Sequence, residues 1–237
     1  MILDYFRYLI WIAILPVIYL CKYVYEKDTR KEPIYILKKF FVFGIISTVF
    51  ASIMEKYMST ILSSDDQIFA SEGYWGLFVN VLVGVGIIEE LSKYLVILFL
   101  GYNNNEFDQT YDIVVYSVYT SLGFACFENI LYSLEGGIGT AVMRMFTAVP
   151  GHACFGVMMG YYFSKAKIAN INGNIIGAIF YKILALVIPS ILHAFYDSLV
   201  MVQNEIYFLI WIVYVIMLFV VSIKKVNKLA ENSVSFR

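Results

Sequence analysis

Two adjacent glutamates, Glu89 and Glu90, precede Lys93 by one helical turn in the apolar run GVGIIEELSKYLV. A carboxylate shielded from bulk water can take a proton from a water molecule and hand it on, the work of a general base and then a general acid. The chain has only two histidines, His152 and His193, and both also lie in apolar runs. Asp197 follows His193 at i,i+4 in KILALVIPSILHAFYDSLV, so one helical face carries both. A carboxylate there can hold the imidazole in one tautomer and raise its basicity, or both side chains could ligate a metal. A third polar group, Glu128 with Asn129, closes the run SVYTSLGFACFENILY, where Ser117, Ser121, Glu128 and Tyr132 share a stripe. Polar groups this deep in apolar runs are costly and usually serve a function, so together they look like one catalytic site.

Each group also has a plainer reading. Glu89 and Lys93 could form an internal i,i+4 ion pair, which leaves Glu90 unexplained. Glu128 and Asn129 could be hydrogen-bond glue between helices, and His152 in RMFTAVPGHACFGVMMG could be a packed histidine, with Pro150-Gly151 bending the helix before it. Arg144 precedes His152 by two turns in that reading. Ser190 and Lys182 lie on the face of His193. Gly86, one turn ahead of the glutamates, leaves room for a second backbone. Serine catalysis lacks a G-x-S-x-G setting around Ser92. Cys154, two residues from His152, points away from it on a helix.

The elements that carry these residues are membrane spans. The chain has 237 residues, 61% hydrophobic and 15% charged, with a mean hydropathy of +0.76. A soluble domain carries about a quarter charged residues. Cys21, Cys126 and Cys154 are widely spaced in apolar runs, which argues against a disulfide framework and a thiolate metal cage. The net charge of -1 and the lack of a basic stripe argue against a nucleic-acid partner. The first apolar run lacks a cleavage site and reads as a retained span. About 20 apolar residues cross ~30 Å of hydrocarbon. Seven stretches qualify, at 3–22, 34–54, 75–100, 111–134, 139–163, 175–201 and 206–223. This predicts an all-α, polytopic helix bundle in the lipid bilayer, one domain over 1–237, with a kink or tilt at Pro189.

Lys22, Lys27, Arg30, Lys31, Lys38 and Lys39, then Lys165 and Lys167, then Lys224, Lys225, Lys228 and Arg237 fall on one side of such a seven-span chain. The positive-inside rule puts that side in the cytoplasm, with the N-terminus out and the C-terminus in. Asp65, Asp66 and Glu72 suit the outer side. A charge at mid-bilayer costs ~2.5–3.5 kcal/mol on insertion scales, so the polar faces of these spans must converge on one another or on a wet cavity.

The set Glu89-Glu90-x-x-Lys93, Phe124-x-x-x-Glu128-Asn129, His152 after Pro150-Gly151, and His193-x-x-x-Asp197 resembles the PrsW family of intramembrane proteases. The stretch Asp28-Thr29-Arg30-Lys31-Glu32-Pro33 is similar to that family's first cytoplasmic loop. The wider clan with the CAAX prenyl endopeptidases has a Glu-Glu pair ending in Arg, a Phe-x-x-x-His and a His-x-x-x-Asn. Lys93, Glu128 and Asp197 at the comparable places match the PrsW branch better, without a clear departure.

The resemblance implies a multi-pass protein of the bacterial cytoplasmic membrane that cleaves a single-span membrane protein. Its known theme is site-1 cleavage of an anti-sigma factor in envelope-stress signalling. Catalytic residues would come from Glu89, Glu90, Lys93, Glu128, Asn129, His152, His193 and Asp197. A metal-free glutamic scheme is preferred on the sequence. The alternative is zinc held by Glu128, His152 and His193, for which no HExxH exists. Two other classes use such residues: a proton- or cation-coupled transporter, which often shows internal repeats not found here, and a non-catalytic membrane scaffold.

Overall fold

A computed structural model of the chain describes residues 2–64 and 73–236. Asp65, Asp66, Glu72 and Arg237, used in the orientation argument, lie outside the described residues. The elements are α1 (Ile2–Lys27), α2 (Ile34–Ser64), α3 (Tyr74–Val81), α4 (Ile87–Val96), α5 (Asp112–Phe146), α6 (Ala148–Ile171), α7 (Ile175–Met201) and α8 (Glu205–Glu231). Two π-helical turns, Leu82–Gly86 and Ile97–Gly101, flank α4. The one β-bridge among the described residues joins Gln109 to Ser235.

Five helical stretches are long and apolar enough to cross a membrane: Arg7–Lys27, Ile34–Ile61, Asp112–Ile171, Ile175–Met201 and Glu205–Glu231. Two of the seven expected spans are not separate here. The run 74–101 is divided by its π-helical turns, and 111–134 and 139–163 fall inside the single stretch Asp112–Ile171. That stretch contains two breaks. At Gly137, φ 74° and ψ -164° turn the chain out of helical geometry, a conformation glycine adopts without a Cβ penalty. The second break is at Thr147, ahead of α6. Pro150 therefore sits in the first turn of α6, where its missing N–H costs nothing. The expected bend lies three residues earlier than Pro150. At Pro189 the chain remains helical throughout α7.

Helix α5 occupies the centre and packs on α1, α2 and α6. Its first half is buried on every side, and Ile113, Val114, Val115, Tyr116 and Val118 are fully buried, as expected for a helix surrounded by others. α6 runs antiparallel to it through two glycines one turn apart. A Cβ on Gly160 would stand 2.5 Å from the Val114 Cα, and one on Gly156 2.9 Å from the Ser117 carbonyl. Such close backbone approach through small residues is how helices associate where lipid removes the hydrophobic drive. Gly86 plays the same part between the turn ahead of α4 and α7: an added Cβ would lie 2.9 Å from the Ser190 carbonyl oxygen. The two crossings bring the polar faces of α4, α5, α6 and α7 to one place.

Candidate active site

Lys93 is at the centre and is wholly buried. Its ammonium donates to Glu90 Oε1 at 2.8 Å, to Glu89 Oε2 at 3.2 Å and to His152 Nδ1 at 3.1 Å. It also stands 3.9 Å above the Phe124 ring. The plain i,i+4 ion pair is therefore present, but as one edge of a larger network. With Nδ1 of His152 accepting from Lys93, Nε2 carries the proton and donates to Glu128 Oε2 at 2.8 Å. His193 Nδ1 meets Glu90 Oε1 at 3.0 Å, and its Nε2 meets Asp197 Oδ2 at 3.3 Å. The two imidazole rings lie edge to face, 5.1 Å apart, and Phe155 stacks on His193 at 4.8 Å.

Both histidines thus direct Nδ1 toward the glutamate pair and have Nε2 held by a carboxylate on the far side. Glu89, Glu90, His152 and His193 each place one ligand atom within 4.8 Å of all the others, and all four are buried. Glu128 is outside that group, on the outer nitrogen of His152. Arg144 fixes Glu128 from behind, with one terminal nitrogen 3.0 Å from Oε2 and Nε donating to Asn129 Oδ1 at 3.1 Å. The Asn129 amide donates to the Ala13 carbonyl of α1 at 3.1 Å. Asn129 is therefore committed to α1 and Arg144.

A cavity of about 540 Å³ opens onto this cluster. Glu89, Glu128, His152, His193 and Asp197 line it; Glu90, Lys93 and Asn129 do not. Its wall also includes Thr48, Ser52 and Glu55 of α2. Sequence reasoning missed this contribution, although spacing of i, i+4 and i+7 in an apolar helix was a legible signal. The rim carries exposed apolar side chains, among them Met143, Met201 and Phe208. Ser117 and Ser121 do not reach the site but pack against Gly156. Lys182 is equally remote, above the Tyr102 ring.

A model for the PrsW family, described as intramembrane metalloproteases, matches residues 32–223, which include every residue of the cluster. Proteins named Protease PrsW are similar along most of their length. The one from Bacillus subtilis (strain 168) is 34% identical over 84% of this chain and 85% of its own. That from Geobacillus kaustophilus (strain HTA426) is 34% identical over 83% and 81%. That from Oceanobacillus iheyensis is 30% identical over 94% and 96%. No solved structure matches the chain significantly. With the family's matched region spanning most of the sequence and relatives covered over 81–96% of their own length, this chain belongs to the PrsW family of intramembrane proteases.

Proposed function

We propose that the chain hydrolyses a peptide bond of a single-span membrane protein at the cavity floor, with Glu89 as the base that activates water. The observation that carries this assignment is the division of the glutamate pair: Glu89 faces the cavity, whereas Glu90 lies behind it. Glu90 holds Lys93 and His193 in place. Glu89 takes the proton of the attacking water and passes it to the leaving amine. His152 or His193 would donate to the oxyanion only as its Nε2–H leaves Glu128 or Asp197. Asp197 and Glu128 orient the two rings.

The donor set fits a divalent metal. Two imidazoles and a carboxylate form a catalytic zinc set, and the carboxylates on both outer nitrogens match the usual support of histidine ligands. Glu90 Oε2 is buried without a hydrogen-bond partner. His152, His193 and Glu90 would hold the ion, leaving Glu89 as base. A bound metal supplies Lewis-acid charge that makes water a better nucleophile. These features favour the metal scheme over the metal-free one preferred on the sequence.

The reading extends to seven membrane crossings with the Lys-rich loops in the bacterial cytoplasm, and to an anti-sigma factor as the substrate of a site-1 cleavage in stress signalling. The apolar rim of the cavity suits entry of a substrate helix from the lipid. The test is co-expression with a tagged single-span anti-sigma factor of the same genome, reading fragment formation by blot. Wild type yields a discrete fragment, and Glu89→Gln, Glu90→Gln, His152→Ala and His193→Ala at matched expression do not. A fragment that persists in all four assigns the cutting to another protease and refutes the site. Chelation that abolishes cleavage by purified protein, with recovery on adding zinc, supports the metal. Full activity in metal-free protein refutes it. Proton or ion flux lost in Glu90→Gln, with no cleavage, would favour the transporter.

A further inference from the structure

A second group of buried carboxylates lies at the other end of α5. Asp112 begins that helix, and sixteen residues separate it from Glu128, a rise of about 24 Å. Asp28 follows α1, and Glu32 stands in the connection to α2. One oxygen from each of Asp28, Glu32 and Asp112 lies within 4.8 Å of the other two. The three residues are 2%, 5% and 1% exposed.

Half of their hydrogen-bonding capacity is used. Asp28 Oδ1 accepts from the Arg30 amide at 3.0 Å, and Asp112 Oδ2 from the amides of Asp108 and Gln109 at 3.0 and 2.6 Å. The Tyr116 hydroxyl donates to Glu32 Oε2. The other oxygens of the two aspartates, Asp28 Oδ2 and Asp112 Oδ1, are buried with no partner. The nearby cations are engaged elsewhere. Lys31 donates to the carbonyls of Tyr25, Glu26 and Asp28, and Arg30 pairs with Asp108. Among the described residues, no lysine or arginine is ion-paired with any of the three carboxylates. Three crowded carboxylates, two of them with an orphaned oxygen, need positive charge.

We propose that Asp28, Glu32 and Asp112 form a second site, for a hard divalent cation of the Mg2+ and Ca2+ class, that clamps the α1–α2 connection onto the start of α5. All-oxygen donors without sulfur or imidazole select such ions over zinc, and water completes the shell. The clamp reaches the C-terminal residues too. The Phe236 amide donates to the Asp108 carbonyl at 2.7 Å, and the Thr110 amide to that of Val234 at 3.0 Å.

The test uses full-length protein in detergent with His152→Ala and His193→Ala, which removes the imidazole donors of the other site. Mn2+ is the probe, its free fraction read by electron paramagnetic resonance and its displacement by Mg2+ or Ca2+. One Mn2+ is expected per chain. Mg2+ or Ca2+ at a hundred times its dissociation constant should raise Tm by about 5–10 °C. Adding Asp112→Asn, which keeps the acceptor for the Asp108 and Gln109 amides, should abolish both effects. Glu32→Gln, which keeps the acceptor for Tyr116, is the second variant should the first not fold. Mn2+ binding that survives either change overturns the proposal. So does a parent protein that neither binds nor is stabilised by any of the three ions; its carboxylates are then neutralised by protons.

Discussion

Lys93→Met removes a charge while keeping most of the side-chain length, and it tests whether the centre of the site is an ionic network. The ammonium is the shared partner of Glu89, Glu90 and His152 at 2.8–3.2 Å, with no exposed surface. Deleting one member of a buried ion pair typically costs about 3–5 kcal/mol, because the other charge is left without a partner. For a chain of this size that corresponds to a fall in Tm of roughly 6–20 °C. Thermal unfolding in detergent can be followed with a thiol-reactive dye, since Cys126 and Cys154 are buried in the folded protein. Most of the cost arises at Glu90, so Lys93→Met combined with Glu90→Gln should regain at least half of the lost stability. If the two changes add as independent losses, or if Lys93→Met costs under about 1 kcal/mol, the buried-network account is wrong.

Asp197→Asn should leave the fold intact and lower cleavage about 10–100-fold, since it weakens the hold on His193 Nε2 at 3.3 Å; fragment yield over time at matched expression checks it. Gly86→Ala should destabilise by about 1–3 kcal/mol and reduce cleavage, because the new Cβ meets the Ser190 carbonyl at 2.9 Å and pushes α4 away from His193. Gly139→Ala, with nothing within 4 Å of the added Cβ, is the neutral control in the same melt. Lys93→Met should also bind zinc at least about tenfold more tightly than wild type, a competing cation having been removed; titration against a chelating indicator measures this.

Much of the site was readable because helical spacing alone aligns its pairs. Glu89 with Lys93, and His193 with Asp197, are each one turn apart and do meet. The need to bury polar faces against one another predicted their convergence, and Gly86 marked a close crossing that the structure contains. What escaped depends on backbone breaks with no periodic signature. Arg144 read as part of the His152 helix, two turns ahead of the histidine. The turn at Gly137 and the break at Thr147 instead place it before α6, bound to Glu128 and Asn129. The π-helical turn at Leu82–Gly86 rotates the glutamates relative to α3, and packing on α7 accompanies it. Asn129, among the candidate catalytic residues on the sequence, is drawn to α1 by the Ala13 carbonyl, a contact between residues 116 positions apart.

The charge balance of the cavity explains why these groups are tolerated in the same place. Six carboxylates surround the cavity, Glu55, Glu89, Glu128, Glu135 and Asp197 in its wall and Glu90 behind it, against two permanent cations, Lys93 and Arg144. His152, accepting from Lys93, adds no charge, and His193, with a carboxylate on each nitrogen, adds at most one, so the site is still short of positive charge. Protons on the carboxylates would remedy the shortage yet leave fewer bases for water. A dication would remedy it and keep Glu89 ionised. Lys93 then competes for the same acceptors: its ammonium stands 3.1 Å from His152 Nδ1, the nitrogen an ion would use. Without metal the lysine holds Glu89, Glu90 and His152 together. A metal held by His152, His193 and Glu90 would take the His152 nitrogen from the lysine and leave the lysine on the glutamates. One fully buried lysine would then preserve the geometry of the site with or without the ion.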